Sequence, residues 1–149
     1  MFTQRVCQLT NPIVRGLDFL APVADLGLRL WVGIVFLKSG LAKIQSMEST
    51  IMLFENEFQV PLLSATVAAY LGTFVELVFP VLLIIGLGGR FAALVLFLFN
   101  IVAVISYPGL NPHGVELHQI WGLMLLVTLL HGPGKLSVDH FLGRFCRRH

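Results

Sequence analysis

The sequence predicts an all-α integral membrane protein, a four-helix bundle with short amphipathic interfacial helices. Three observations carry this: 56% of its 149 residues are hydrophobic, only 12% are charged, and the apolar residues gather into runs long enough to cross a bilayer. A mean hydropathy of +0.86 leaves little chain for a soluble catalytic module. Twelve Phe against two Tyr and two Trp argue against a transmembrane barrel, which would show aromatic girdles and alternating strands. The net charge of +2 comes from basic residues flanking apolar runs, so it reads as an orientation signal, not as a nucleic-acid surface.

About 20 residues, including Arg5, Cys7, Pro12 and Arg15, precede the first apolar run, without the core and small-residue cleavage site of a signal peptide. The first span is expected over about 21–41, interrupted by Asp25, Arg29 and Lys38. A second over about 62–87 carries Glu76 and Pro80, and the proline frees a carbonyl one turn earlier. The third, about 88–107, has no charge after Arg90, and the fourth runs over about 114–131. Together with the C-terminal helix, these spans form a single membrane domain over 1–149.

Between the first two spans, Met47, Ile51, Phe54 and Phe58 make a helical stripe, with Glu48, Glu55 and Glu57 on other faces. This is an amphipathic segment lying over the bundle's mouth, either as a lid or as a surface connector. After Gly132-Pro133-Gly134, Ser137 is placed to cap a helix over about 137–146, whose face is Val138, Phe141, Leu142 and Phe145. Arg144, Arg147 and Arg148 flank that face, the pattern of an interfacial helix drawn to anionic lipid.

With both termini cytoplasmic, that side carries Arg5, Arg15, Arg90, Lys135, Arg144, Arg147 and Arg148, against Lys38 and Lys43 opposite. Such a topology belongs to a bacterial or archaeal inner membrane. Cys7 and Cys146 then face a reducing compartment and belong to no Cys-x-x-Cys pair, which disfavours an intramembrane thiol–disulfide relay.

Arg29 and Glu76, at depths of roughly 12 and 16 Å from the cytoplasmic side, are expected to form an ion pair, joined by Asn100 at about 18 Å. Such a cluster reads either as a site for a quinone head group, a small polar ligand or a proton, or as interhelical glue. His118, with Trp121 as an apolar wall, reads as a contact to a quinone carbonyl or a proton donor, or as an interface anchor. His113, Glu116 and His118 are weak metal candidates without a further strong ligand pair, so no metal site is assigned. Lys38 and Lys43 are expected to snorkel into solvent. Gly33, Gly40 and Gly72 allow close helix approach, and Gly86–Arg90 makes a tight hairpin.

Arg29, Gly33, Phe36, Gly40, Lys43, Glu76, the Gly86–Arg90 hairpin and above all the ending Gly132-Pro-Gly-Lys-Leu-Ser-Val-Asp139 resemble the DoxX family over roughly Leu26 to Leu142. The resemblance implies a four-helix inner-membrane protein, in a family named for a subunit of quinone-linked sulfur and terminal oxidase chemistry. It supplies no catalytic residues, so none is assigned. The reading is a subunit of a quinone-linked redox or oxidative-stress complex, without covalent cofactor. His118 would contact the head group, Arg29 and Glu76 would balance charge or relay a proton, and a membrane or peripheral partner would hold the redox centre. The alternative is a non-catalytic scaffold, assembly factor or small-solute carrier. Self-association fits either reading.

Overall fold

The computed structural model describes the backbone of residues 2–60 and 62–146 and the side chains of 14–60 and 62–145. Arg147 and Arg148 lie outside the described residues, as do the side chains of Arg5, Cys7, Pro12 and Cys146. The described chain is all-helical: α1 (Phe2–Gln45), α2 (Met47–Asn56), α3 (Ala65–Ile85), α4 (Gly89–Ser106), α5 (Pro112–His131) and α6 (Val138–Cys146).

Four of these helices are long and apolar enough to cross a membrane: α1 from Val14, α3, α4 and α5. They close a ring in which α1 packs on α3, α3 on α4, α4 on α5, and α5 back on α1. The core is thin, built from Val32 and Phe36 of α1, Val75 and Leu83 of α3, Ala92, Ala93 and Leu96 of α4, and Leu125 of α5. Outward-facing positions are apolar too, as with Leu71, Phe74 and Val78 on α3 and Leu94, Leu98 and Ile101 on α4. Helices apolar on all sides need a lipid solvent. This is a membrane protein in contact with the bilayer.

The register between α1 and α3 is set by two glycines. A Cβ on Gly33 would stand 2.7 Å from Ile84 Cγ1, and one on Gly40 would stand 2.9 Å from the Glu76 carbonyl group. Pro80 inside α3 cannot donate to that carbonyl, so α3 turns its unpaired oxygen toward the bare Cα of Gly40. In this antiparallel register Arg29 lies beside Ile84, eight residues and about 12 Å along α3 from Glu76. The expected Arg29–Glu76 ion pair is therefore absent. Counting depth from the ends of two apolar runs gave the error, because α3 ends at Ile85 and α1 continues well beyond both sides of the run.

Arg29, fully buried, instead caps the end of α3. Its guanidinium donates to the carbonyls of Leu83 (3.3 Å), Ile84 (3.2 Å) and Leu136 (2.6 Å). The first two belong to the negative end of the helix dipole, so a cation is held there without a directly bonded carboxylate. Gly86 ends α3 with φ +70°, and a Cβ there would lie 2.5 Å from both Arg29 Nη1 and Ser137 Cβ.

The ending 132–139 is the other half of this clasp. Ser137 donates to the Gly134 carbonyl (2.6 Å) and accepts from the His140 amide (3.3 Å), capping α6. The Asp139 amide donates to the Gly86 carbonyl (3.0 Å), and its carboxylate accepts from the amides of Gly88 and Gly89 at 2.8 Å each, at the start of α4. One short segment thus ties together the end of α3, the start of α4 and the start of α6.

Asp139→Ala removes the carboxylate that accepts from the Gly88 and Gly89 amides at the start of α4 and is expected to cost about 1 kcal/mol. Arg29→Met leaves buried carbonyls unpaired and is expected to cost about 2 kcal/mol or more. Thermal unfolding in mild detergent checks both, and the Arg29 variant should melt lower.

Candidate functional site

At the end of the bundle away from the clasp, a cavity of about 430 Å³ opens among α1, α2, α3, α4 and the first turns of α5. Small residues leave the space: Ala68 and Gly72 on α3 and Ala103 on α4 put no bulk into it. Phe54, Phe58, Val75, Leu98, Phe99 and Val102 supply apolar walls. Six polar side chains line it, namely Ser39, Lys43, Glu76, Ser106, Tyr107 and His118.

Glu76 is almost wholly buried and forms a salt bridge with Lys43, whose ammonium also donates to Ser39 Oγ (3.1 Å). Lys43 is therefore not the solvated, snorkelling residue its place near the end of α1 suggested. Its four-carbon stem reaches back along α1, past Ser39, to the carboxylate that Gly40 lets approach. Because the two charges cancel, the wall they form carries no net charge. That suits a neutral polar ligand better than an ion.

His118 is fixed by Asn100. The Asn100 amide nitrogen donates to the His118 carbonyl (2.9 Å), so its oxygen must be the atom 2.7 Å from His118 Nδ1. That oxygen accepts, so Nδ1 carries the proton and the neutral ring keeps Nε2 as its free acceptor. The imidazole also meets Trp121 edge-on, with ring centroids 4.9 Å apart. Trp121 packs on the core through Phe36 and does not line the cavity.

Ser106 Oγ is buried at the cavity wall with no hydrogen-bond partner among the described residues. Over the end of the cavity lies α2, capped by Ser46, with Phe54 packed on Ala68 and Ala69 of α3. Phe54, Phe58 and Tyr107 stack in series at centroid distances of 4.7 and 4.9 Å, and the Gln59 amide bonds the Ser106 carbonyl (2.7 Å). Glu57, as hydrogen-bond acceptor and neighbouring negative charge, pushes the Tyr107 hydroxyl above the ordinary tyrosine range. Of the two readings of this amphipathic segment, its position is that of a cover.

The structure thus brings Glu76 and His118 to one cavity, with Asn100 behind His118, and leaves Arg29 in the clasp at the other end. Lys43, Ser39 and Ser106 were missed by sequence reasoning; the spacing of Lys43 one turn after Ser39 and three residues after Gly40 was the available signal. The weak metal candidates do not converge. His113 Nδ1 lies 3.9 Å from Glu116 Oε2 with both side chains mostly exposed, while His118 turns to Asn100.

The DoxX family profile matches residues 24–108, more than half of the chain. The chain belongs to the DoxX family. The matched stretch holds Arg29, Gly40, Lys43, Glu76 and Asn100, but it stops before His118 and before the ending 132–139. An uncharacterised protein of Haemophilus influenzae is 34% identical over 129 residues, covering 82% of this chain and 85% of its own. No solved structure matches.

The salt bridge gives a test that the geometry makes specific. Lys43→Met or Glu76→Met alone strands a buried charge and is expected to cost about 3 kcal/mol, whereas the double Met variant should recover most of that. Pairing Arg29→Met with Glu76→Met should show no such recovery. Unfolding midpoints of the single and double variants measure the coupling.

Proposed function

We propose that this DoxX family protein is an inner-membrane subunit of a quinone-linked redox complex, and that its cavity holds the neutral head group of a quinone or quinol. The observation that carries the reading is an aromatic-walled cavity whose polar atoms are complementary to such a ring. Lys43 and the Ser106 hydroxyl offer donors to a quinone carbonyl, and His118 Nε2 offers an acceptor to a quinol hydroxyl. The volume of about 430 Å³ accommodates one substituted ring.

The bound ring would supply two-electron carrier chemistry, with the redox centre in a partner subunit. Within this chain, Asn100 would hold the His118 tautomer, Glu76 would keep Lys43 charged and oriented, and α2 would limit water. Glu76 beside Lys43 is the group through which a proton would be balanced, with no part for Arg29. The orientation we propose puts both termini in the cytoplasm. Arg15, Arg90, Lys135 and Arg144 all lie toward the clasp end, and the cavity end has Lys38 and Lys43. The cavity then sits in the outer half of the membrane.

Purified chain in lipid nanodiscs is expected to retain, or to take up stoichiometrically, a quinone detectable by mass spectrometry after extraction. His118→Ala and Ser106→Ala should each weaken uptake by about tenfold, the worth of one good hydrogen bond; Ser106→Ala should leave the unfolding midpoint nearly unchanged, whereas His118→Ala should also lower it by unpairing the buried Asn100 oxygen. Bulk phospholipid alone, with no uptake of added quinone, would turn the assignment toward a scaffold or a carrier of another solute.

A further inference from the structure

The cavity has two sides open to the approach of a ligand, and they are built differently. Toward the end of the bundle, the stacked rings of Phe54, Phe58 and Tyr107 stand across it, tied down by the Gln59–Ser106 backbone bond. Toward the lipid, the wall between α3 and α4 consists of single aliphatic side chains. Leu71 and Leu98 line the cavity and yet are 50% and 53% exposed, so each has one side in the cavity and the other in the bilayer. Val102 does the same one turn beyond Leu98. The polar atoms lie away from this rim: Glu76 and Lys43 where α1 meets α3, His118 on α5, and Ser106 buried one turn beyond Val102 on α4.

The geometry points to a lateral portal between α3 and α4, through which the cavity takes a single-tailed amphiphile directly from the bilayer, head group inward and hydrocarbon tail lying out across Leu71 and Leu98. This rests on the reading of the cavity as a head-group site and adds to it the route and the necessity of a tail. A water-soluble ligand would have to part three stacked rings and break a backbone hydrogen bond. A lipid-phase ligand need only rotate leucine side chains, which lose no hydrogen bond in moving. The polarity gradient also fits an amphiphile, since the polar anchors are deepest and the rim at the lipid is purely apolar. Phe99 lines the cavity facing Gly72, where an added Cβ would stand 3.6 Å from its ring, and forms the floor on which the first carbons of the tail would rest.

The experiment uses the full chain in nanodiscs and two probes, a substituted benzoquinone with a ten-carbon alkyl tail and the same ring without it. Binding of each is measured to the unaltered chain, to Leu71→Trp with Leu98→Trp, and to Leu123→Trp, a lipid-facing change on α5 outside the cavity. The portal variant should weaken the tailed probe by about tenfold or more while the tailless ring changes little, and Leu123→Trp should alter neither. Gln59→Pro, outside the cavity lining, removes the backbone N–H that ties the cover to Ser106 and should leave the tailed probe's association rate unchanged. Equal affinity of the tailed probe for the portal variant and the unaltered chain overturns the lateral route while leaving the head-group site standing, as does faster association of the tailed probe in Gln59→Pro. Failure of both probes to bind the unaltered chain overturns the head-group reading and the route together. Unfolding midpoints of the Trp variants, substituted on lipid-facing surface, confirm that the bundle is intact.

Discussion

The contact between Gly40 and the Glu76 backbone governs the rest of this molecule. In lipid no hydrophobic force draws helices together, so van der Waals contact between bare backbones and a few polar bonds must do so. Gly40 on α1 meets the turn of α3 that Pro80 has deprived of a hydrogen bond, and this fixes the register of the two helices. Once that register is set, Lys43 reaches Glu76, Arg29 reaches the end of α3, and the cavity is walled on one side by an ion pair. Shifting α1 by one turn would unmake all three.

The two ends of the bundle then divide the work. The clasp end is a set of backbone interactions in which Arg29 and Asp139 serve the opposite poles of two helices, carbonyls at the end of α3 and amides at the start of α4. The other end is less complete. Ser106 lacks a partner among the described residues, small residues face one another across open space, and α2 is a separate short helix laid over the gap. A fold held rigidly at one end can tolerate an unfilled site at the other.

The fold was legible because its signals are long and redundant. Each span is about 20 apolar residues, and the helical stripe of α2, the capping role of Ser137 and the close approach at Gly33 and Gly40 follow from local spacing. The pairing of charges was not legible, because it depends on register to within one turn. Apolar runs locate a helix end only to several residues, and each residue is worth about 1.5 Å. Arg29 also illustrates a chemical blind spot: a buried cation was assigned a carboxylate, whereas helix-terminal carbonyls satisfied it. Lys43 was misread for the related reason that a lysine near a helix end can snorkel either outward or back into the protein, and only the neighbour decides. The cavity itself arises from absences, at Ala68, Gly72 and Ala103, and small residues read in sequence as packing before they read as space.

The Lys43–Glu76 pair bears on function through its energetics. Two charges taken from water into a bundle wall carry a desolvation penalty that their attraction offsets only in part, so apolar residues of similar volume would serve packing at least as well. Structural adhesion is already supplied at this level by Gly40 against α3, which needs no charge. What the pair provides that leucines would not is a fixed ammonium and a carboxylate at the wall of an apolar cavity, oriented by Ser39, with His118 lining the same space. Donors and acceptors arranged around a dry volume, with their charges already cancelled, bind a neutral polar ring with little further rearrangement. The same arrangement offers little to a free ion, whose charge would find no net counter-charge there. The chemistry of the ligand is thus constrained from the wall inward by charge balance, and from the lipid side by the purely aliphatic rim between α3 and α4.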